Sequence, residues 1–235
     1  MSDDLRELIA NARGVAASAR ILRLEELASP AEGERWGLEA MRGRVVELSA
    51  HGAAATLTTA VELVLEAQVA AEPVAWVTLA NATFYPPDVA ESGVDLAALA
   101  VVRVSEPTMV ARAAEQLLRS GAFGLLVLDF GGGADVDGRA GSGPGWGRGS
   151  IELPMAHLGR LVTLAQTHDA AVVCLTKKAE DTPSLGSLIS LRAEALRLCV
   201  KGRDDDYDVT VRVLKDKRRG PGWMRTIKRY GPPGF

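Results

Sequence analysis

Cysteine is scarce in this chain, with two residues, Cys174 and Cys199, among 235. Each sits inside an apolar, strand-like run. The pair therefore reads as buried thiols of a reducing compartment, which argues against a disulfide-stapled fold or a cysteine-based metal site. Long hydrophobic runs are missing too; none approaches the roughly 20 residues needed to cross a bilayer. The opening Met1-Ser2-Asp3-Asp4-Leu5-Arg6-Glu7 is acidic and has none of the layout of a signal peptide. A cytoplasmic location without membrane contact is the expectation. Internal repeats are absent as well. At 47% hydrophobic residues, the chain has enough apolar surface for one full-sized core, or one core with a small appendage.

The next absence is local. Arg44-Val45-Val46-Glu47-Leu48-Ser49 reads as a strand, Ala50 to Ala55 as a small-residue loop, and the chain from Leu57 onward as a helix. That layout normally holds a nucleotide phosphate, through the pattern G-x-x-x-x-G-K-[ST]. The matching positions here are Ala50, Ala55, Thr56 and Leu57. Glycines adopt backbone conformations that cost alanine roughly 1–2 kcal/mol each. The missing lysine removes a charge-assisted hydrogen bond worth about 1.5–3 kcal/mol. Leu57 has no oxygen for Mg²⁺. Together the losses come to roughly 5 kcal/mol or more, on the order of a thousandfold in affinity. The plainer reading is an Ala-rich strand-to-helix turn in an ordinary α/β protein.

Charge is unevenly placed. The net charge is −3, yet from Val209 to the end eight Lys/Arg face one acid, Asp216, a local +7 that leaves −10 for the rest. A basic end on an acidic body suits phosphates, nucleic acid or an acidic partner surface, or else is a solvated strand and tail.

The hydrophobic pattern predicts a short helix over 3–13, then a polar connection around 28–35. Strands follow at 43–49, 73–79, 101–104, 124–130 and 170–176, with helices at 57–71, 107–120 and 151–168 between them. The tail adds strand-like runs at 188–200, 208–217 and 223–230. Apolar strands alternating with helices predict an α/β fold, with a mainly parallel sheet covered on both faces. A glycine-rich stretch at 131–149 reads as a loop and does not follow the phosphate-loop pattern.

Three segments then occur in a telling order: Glu91-Ser92-Gly93-Val94-Asp95-Leu96, Arg119-Ser120-Gly121-Ala122, and Leu125-Leu126-Val127-Leu128-Asp129. With the strand and loop before them, they resemble the core of RecA-type recombinases. Val211-Arg212-Val213-Leu214-Lys215-Asp216-Lys217 is similar to that family's late strand with its paired lysines. The resemblance covers about residues 40–235. It divides the chain into an N-terminal helix and connection, 1–35, and a RecA-like core, 36–235, whose mainly parallel twisted sheet ends in C-terminal antiparallel strands.

Carried across, the phosphate-loop lysine falls on Thr56. The glutamate that activates the hydrolytic water falls on Asn81, whose amide has no useful basicity. The aspartate ending the fourth strand is kept as Asp129. The resemblance therefore implies a degenerate nucleotide site with no catalytic residue, no cofactor and no metal.

The paired lysines, which in the family reach toward a neighbour's nucleotide, are kept as Lys215 and Lys217. Strand periodicity puts them on one face with Val209, Val211 and Val213. Arg218 and Arg219 extend the basic patch. The family's DNA loops correspond to about 131–150, with Arg139 and Arg148, and to 177–187, which is shorter than in the family.

A nucleotide-dead recombinase relative is similar to ImuA, the RecA-like accessory proteins of bacterial mutagenic-repair cassettes. That resemblance implies a non-enzymatic role in SOS-linked translesion synthesis. The implied partners are RecA, a Y-family-like polymerase partner and the error-prone polymerase of the cassette, with weak DNA binding besides. The alternatives are a sequence-independent DNA-binding module and a weak ATPase with an unorthodox phosphate loop.

Overall fold

Apolar runs of five or six residues, each bounded by polar turns, become the centre of one sheet in the computed structural model. The model describes residues 36–52, 54–80, 82, 84–130, 153–199 and 206–230. The chain divides into two units, Met1–Trp36 and Gly37–Phe235, and the elements below belong to the second. The helix predicted over 3–13 and the glycine-rich 131–149 lie outside the described residues.

In chain order the elements are α1 (Leu38–Met41), β1 (Arg44–Ser49), α2 (Thr56–Val69), β2 (Val74–Leu79), α3 (Pro86–Glu91) and β3 (Leu99–Val104). They continue with α4 (Pro107–Arg119), β4 (Leu125–Asp129), α5 (Met155–Thr167), β5 (Ala171–Thr176), β6 (Leu191–Cys199), β7 (Asp206–Asp216) and β8 (Met224–Tyr230). The eight strands form one sheet in the order β3-β2-β4-β5-β1-β6-β7-β8. The pairings from β3 through β6 are parallel, and those of β7 with β6 and β8 are antiparallel. The expected α/β architecture, mostly parallel with an antiparallel C-terminal extension, is therefore present. The pattern missed the short helices α1 and α3, too brief to show a helical period.

β1, β2, β4 and β5 are buried at every position, as strands covered on both faces must be. One face carries Val45, Ala75, Val77, Leu126, Leu128, Val172 and Cys174 beneath α4 and α5. Cys174 is a free thiol there, pushed above its ordinary pKa by burial and by nearby Glu47. The registers turn Val46, Leu48, Trp76, Val127 and Val173 to the other face. There α2 presents Ala60, Leu63, Val64 and Ala67. Helix α4 opens with Pro107 at its first position and closes on Gly121, whose φ of +67° no β-carbon adopts cheaply. Among the described residues no helix is long and apolar enough to cross a membrane.

Two polar clusters fasten this frame. In the first, the buried Arg44 at the start of β1 donates to Asp216 Oδ1 at 2.6 Å, to Ser190 Oγ at 2.9 Å and O at 2.8 Å, and to Ala40 O at 3.2 Å. It ties β1 to the end of β7 across the intervening β6. In the second, Glu115 on α4 accepts from His157 Nδ1 at 2.7 Å and Arg160 Nε at 2.9 Å on α5. Burial alone pushes the Glu115 carboxyl up, but the two donors outweigh it and hold its pKa below the ordinary range.

Breaking the first cluster strands a buried charge. Arg44→Ala is expected to cost about 3–5 kcal/mol in urea unfolding, whereas Arg44→Met with Asp216→Leu loses far less. The second gives a pH signature. A depressed carboxyl stabilises the fold above its unfolded pKa of about 4.3, and that share is lost as pH falls through the lower folded value. Glu115→Gln is expected to flatten the acid limb of stability against pH; an unchanged limb would place the acid sensitivity elsewhere.

Candidate functional site

The carboxyl ends of parallel strands are where an open α/β sheet normally binds its ligand. Here that position belongs to the segment after β1. Ala50 is buried and its amide prolongs the ladder to Thr176 O at 3.3 Å. His51 and Gly52 are exposed, with Gly52 at φ +82° to turn the chain. The Ala54 amide folds back on Gly52 O at 2.8 Å, and Ala54 bridges to Leu196 of β6. The Ala55 amide then donates to Ala195 O at 3.0 Å, leaving Ala55 itself 4% exposed.

A phosphate site needs successive amides converging on one empty point. This loop instead lies down on β6 and engages an amide with the sheet. Helix α2 then starts at Thr56 with no side-chain cap and no cation in its first turn, and Leu57 faces outward at 39% exposure. The described loop thus offers no lysine or arginine to an anion, and its amides do not converge on one point.

Asp129, kept at the end of β4, is buried and accepts a hydrogen bond from Thr78 Oγ1 at 3.1 Å. It lies two strands from β1, with β5 between. Asn81 lies outside the described residues. Among those described, no group of three or more His, Cys, Asp or Glu is placed to hold a metal ion.

The lysine pair requires a correction. Ala193 pairs with Val213 but Arg192 pairs with Lys215, so Leu214 is an extra residue, a β-bulge. The bulge reverses the alternation. Val209, Val211 and Val213 stay on the buried stripe, and the residue that continues that face is Asp216, bonded to Arg44. Lys215 and Lys217 therefore stand on the opposite face from the valines. Strict two-residue periodicity gave the wrong face because it has no term for an inserted residue.

On that opposite face the lysines join a cluster which the sequence reading overlooked. Buried Glu47 of β1 accepts from Thr176 Oγ1 at 2.9 Å and from the Leu185 amide at 2.8 Å, with Lys178 Nζ at 3.3 Å. Arg192 donates to Ala179 O at 2.7 Å and to Thr182 O. Arg212 bridges Glu194 at 2.7 Å and Glu180. Lys215 Nζ reaches Ser184 Oγ at 3.5 Å, and Lys217 Nζ donates to Ser187 O at 2.6 Å.

Five cations thus staple residues 178–187 onto β1, β6 and β7. The segment matched to the second DNA loop is held down rather than displayed. Burial and the neighbouring charges of Lys217 and Arg192 lower the pKa of half-buried Lys215, with Glu47 opposing. Arg218 and Arg219 are exposed in the turn before β8, where the Arg218 amide donates to Asp216 Oδ1 at 2.8 Å. A charged residue inside an otherwise apolar strand, as Glu47 is between Val46 and Leu48, was the signal available for this cluster.

Because the Ala55 amide is already paired with β6, adding a lysine and a hydroxyl should not create a phosphate site. Thr56→Lys with Leu57→Thr is expected to leave ATP·Mg²⁺ binding weaker than micromolar in a calorimetric titration. Micromolar binding by the double variant would show that the backbone pairing does not prevent it. Comparison of the chain with models of known protein families, and with curated proteins, finds no match to either.

Proposed function

We propose that this protein is a non-catalytic, RecA-like accessory factor of SOS-linked translesion synthesis and DNA repair, which modulates RecA and binds polymerase partners. The observation that carries this reading is the Ala55 amide, committed to Ala195 O at the point where a nucleotide phosphate would sit. A RecA-type core with that site closed retains the shape of a subunit and lacks its chemistry. The order of parts supports the likeness. A strand, loop and helix come first, then β2, Gly93-Val94-Asp95, α4 ending in Arg119-Ser120-Gly121, β4 ending in Asp129, and a late strand ending at Lys215 and Asp216.

In this reading the factor joins or caps the end of a RecA filament. Lys217, exposed at the end of β7, meets the RecA neighbour, and the closed loop gives the next subunit no nucleotide to share. Y-family-like and error-prone polymerases dock elsewhere on the factor, which links the filament to lesion bypass.

A second reading, a sequence-independent DNA-binding module, draws on the exposed Lys217, Arg218 and Arg219. Such binding would fall linearly in log–log form with salt, by about 0.9 per phosphate contacted on duplex DNA.

A RecA strand-exchange assay separates the two. The accessory reading expects a stoichiometric amount of this protein to slow exchange, with Lys215→Ala and Lys217→Ala together relieving the effect. No change at large excess would remove it. If inhibition instead disappears with added competitor duplex, the DNA module is the better account.

A further inference from the structure

The seam between α4 and α5 opens, on the face of the sheet away from α2, into a groove of about 650 Å³. Val104 at the end of β3, with Met109 and Ala113 of α4, makes an apolar floor beside Glu115 and Gln116. The rim is basic. Arg112 is exposed and makes no ion pair among the described residues. Across the groove stand Arg160, its side chain 43% exposed, and His157.

Glu115 at the base neutralises one guanidinium by accepting from Arg160 Nε at 2.9 Å, which also fixes that side chain's direction. The rim is thus left with roughly one uncompensated positive charge. This stands out because the chain before Val209 carries a net −10.

We propose that this groove docks a short acidic, amphipathic segment of a partner protein. Its apolar side chains would fill the floor, where Met109, 39% exposed, adapts its shape to different occupants. Its carboxylate would pair with the planar fork of Arg112, the geometry that arginine recognises best, with Arg160 adding its Nη1 side because its Nε and Nη2 engage Glu115 at 2.9 Å and His157 Nδ1 at 2.8 Å.

Nucleic acid fits the groove less well. No Phe, Tyr or Trp among the described residues lines it to stack a base, and the acidic body repels a polyphosphate while admitting a peptide of few charges. The groove lies apart from the closed loop after β1, so the proposal stands whether or not the accessory role does.

Selection of phage-displayed random peptides on the full chain tests this, followed by anisotropy titration of the enriched peptide and competition with oligothymidylate. Enriched sequences are expected to set Asp or Glu beside Leu, Met or Phe, and oligothymidylate should not displace them. Their affinity should fall about tenfold or more in Arg112→Glu, and again in Met109→Asp. Both positions are solvent-exposed, and urea unfolding of each variant should match the parent. The proposal is overturned if no acidic class is enriched, if the enriched peptide binds both variants unchanged, or if oligothymidylate competes.

Discussion

Everything on the C-terminal side of this sheet depends on one guanidinium. Arg44 is buried at the first position of β1, the last parallel strand before β6 turns the sheet antiparallel, and each of its three nitrogens has a partner. Its bond to Asp216 fixes where β7 must end relative to β1, and Ser190 locks the start of β6 between them. A buried charge tolerates few arrangements, since any that leaves it unpaired costs several kcal/mol. Apolar packing alone would accept β7 in more than one register; the ion pair accepts one.

That anchoring has a counterpart on the opposite face. Glu47 is the buried acid around which Lys178, the Leu185 amide and Thr176 gather. Arg192, Lys215 and Lys217 then hold the rest of the β5–β6 connection through its carbonyl and hydroxyl oxygens. A connection without secondary structure of its own is thereby made a fixed part of the surface. The loop after β1 is fixed the same way by main-chain pairing to β6. Both segments are, in this chain, parts of the scaffold.

The parallel strands were plain in the sequence because burial on both faces leaves continuous apolar runs such as Ala171 to Leu175, here alternating with helix-length segments. That the turn after β1 carries no lysine or arginine was equally plain, since a missing charge needs no coordinates to be noticed. Hidden from the sequence were facts of pairing. The bulge at Leu214 and the commitment of the Ala55 amide are choices between hydrogen-bond partners, which leave no trace in residue type. The Glu115 clamp was hidden for another reason, because His157 and Arg160 lie on a different helix and only the packing of α4 on α5 brings them together.

The extra residue at Leu214 gives the end of β7 a phase as well as a composition. Were Leu214 drawn into regular pairing opposite Arg192, every later side chain would change sides. Lys215, not Asp216, would then stand opposite Leu191 and turn toward the pocket of Arg44, setting cation against cation where an ion pair now closes the sheet. The side chain of Leu214 is a matter of fit, but its exclusion from the ladder is a matter of sign. In this part of the chain, register is under tighter physical constraint than identity.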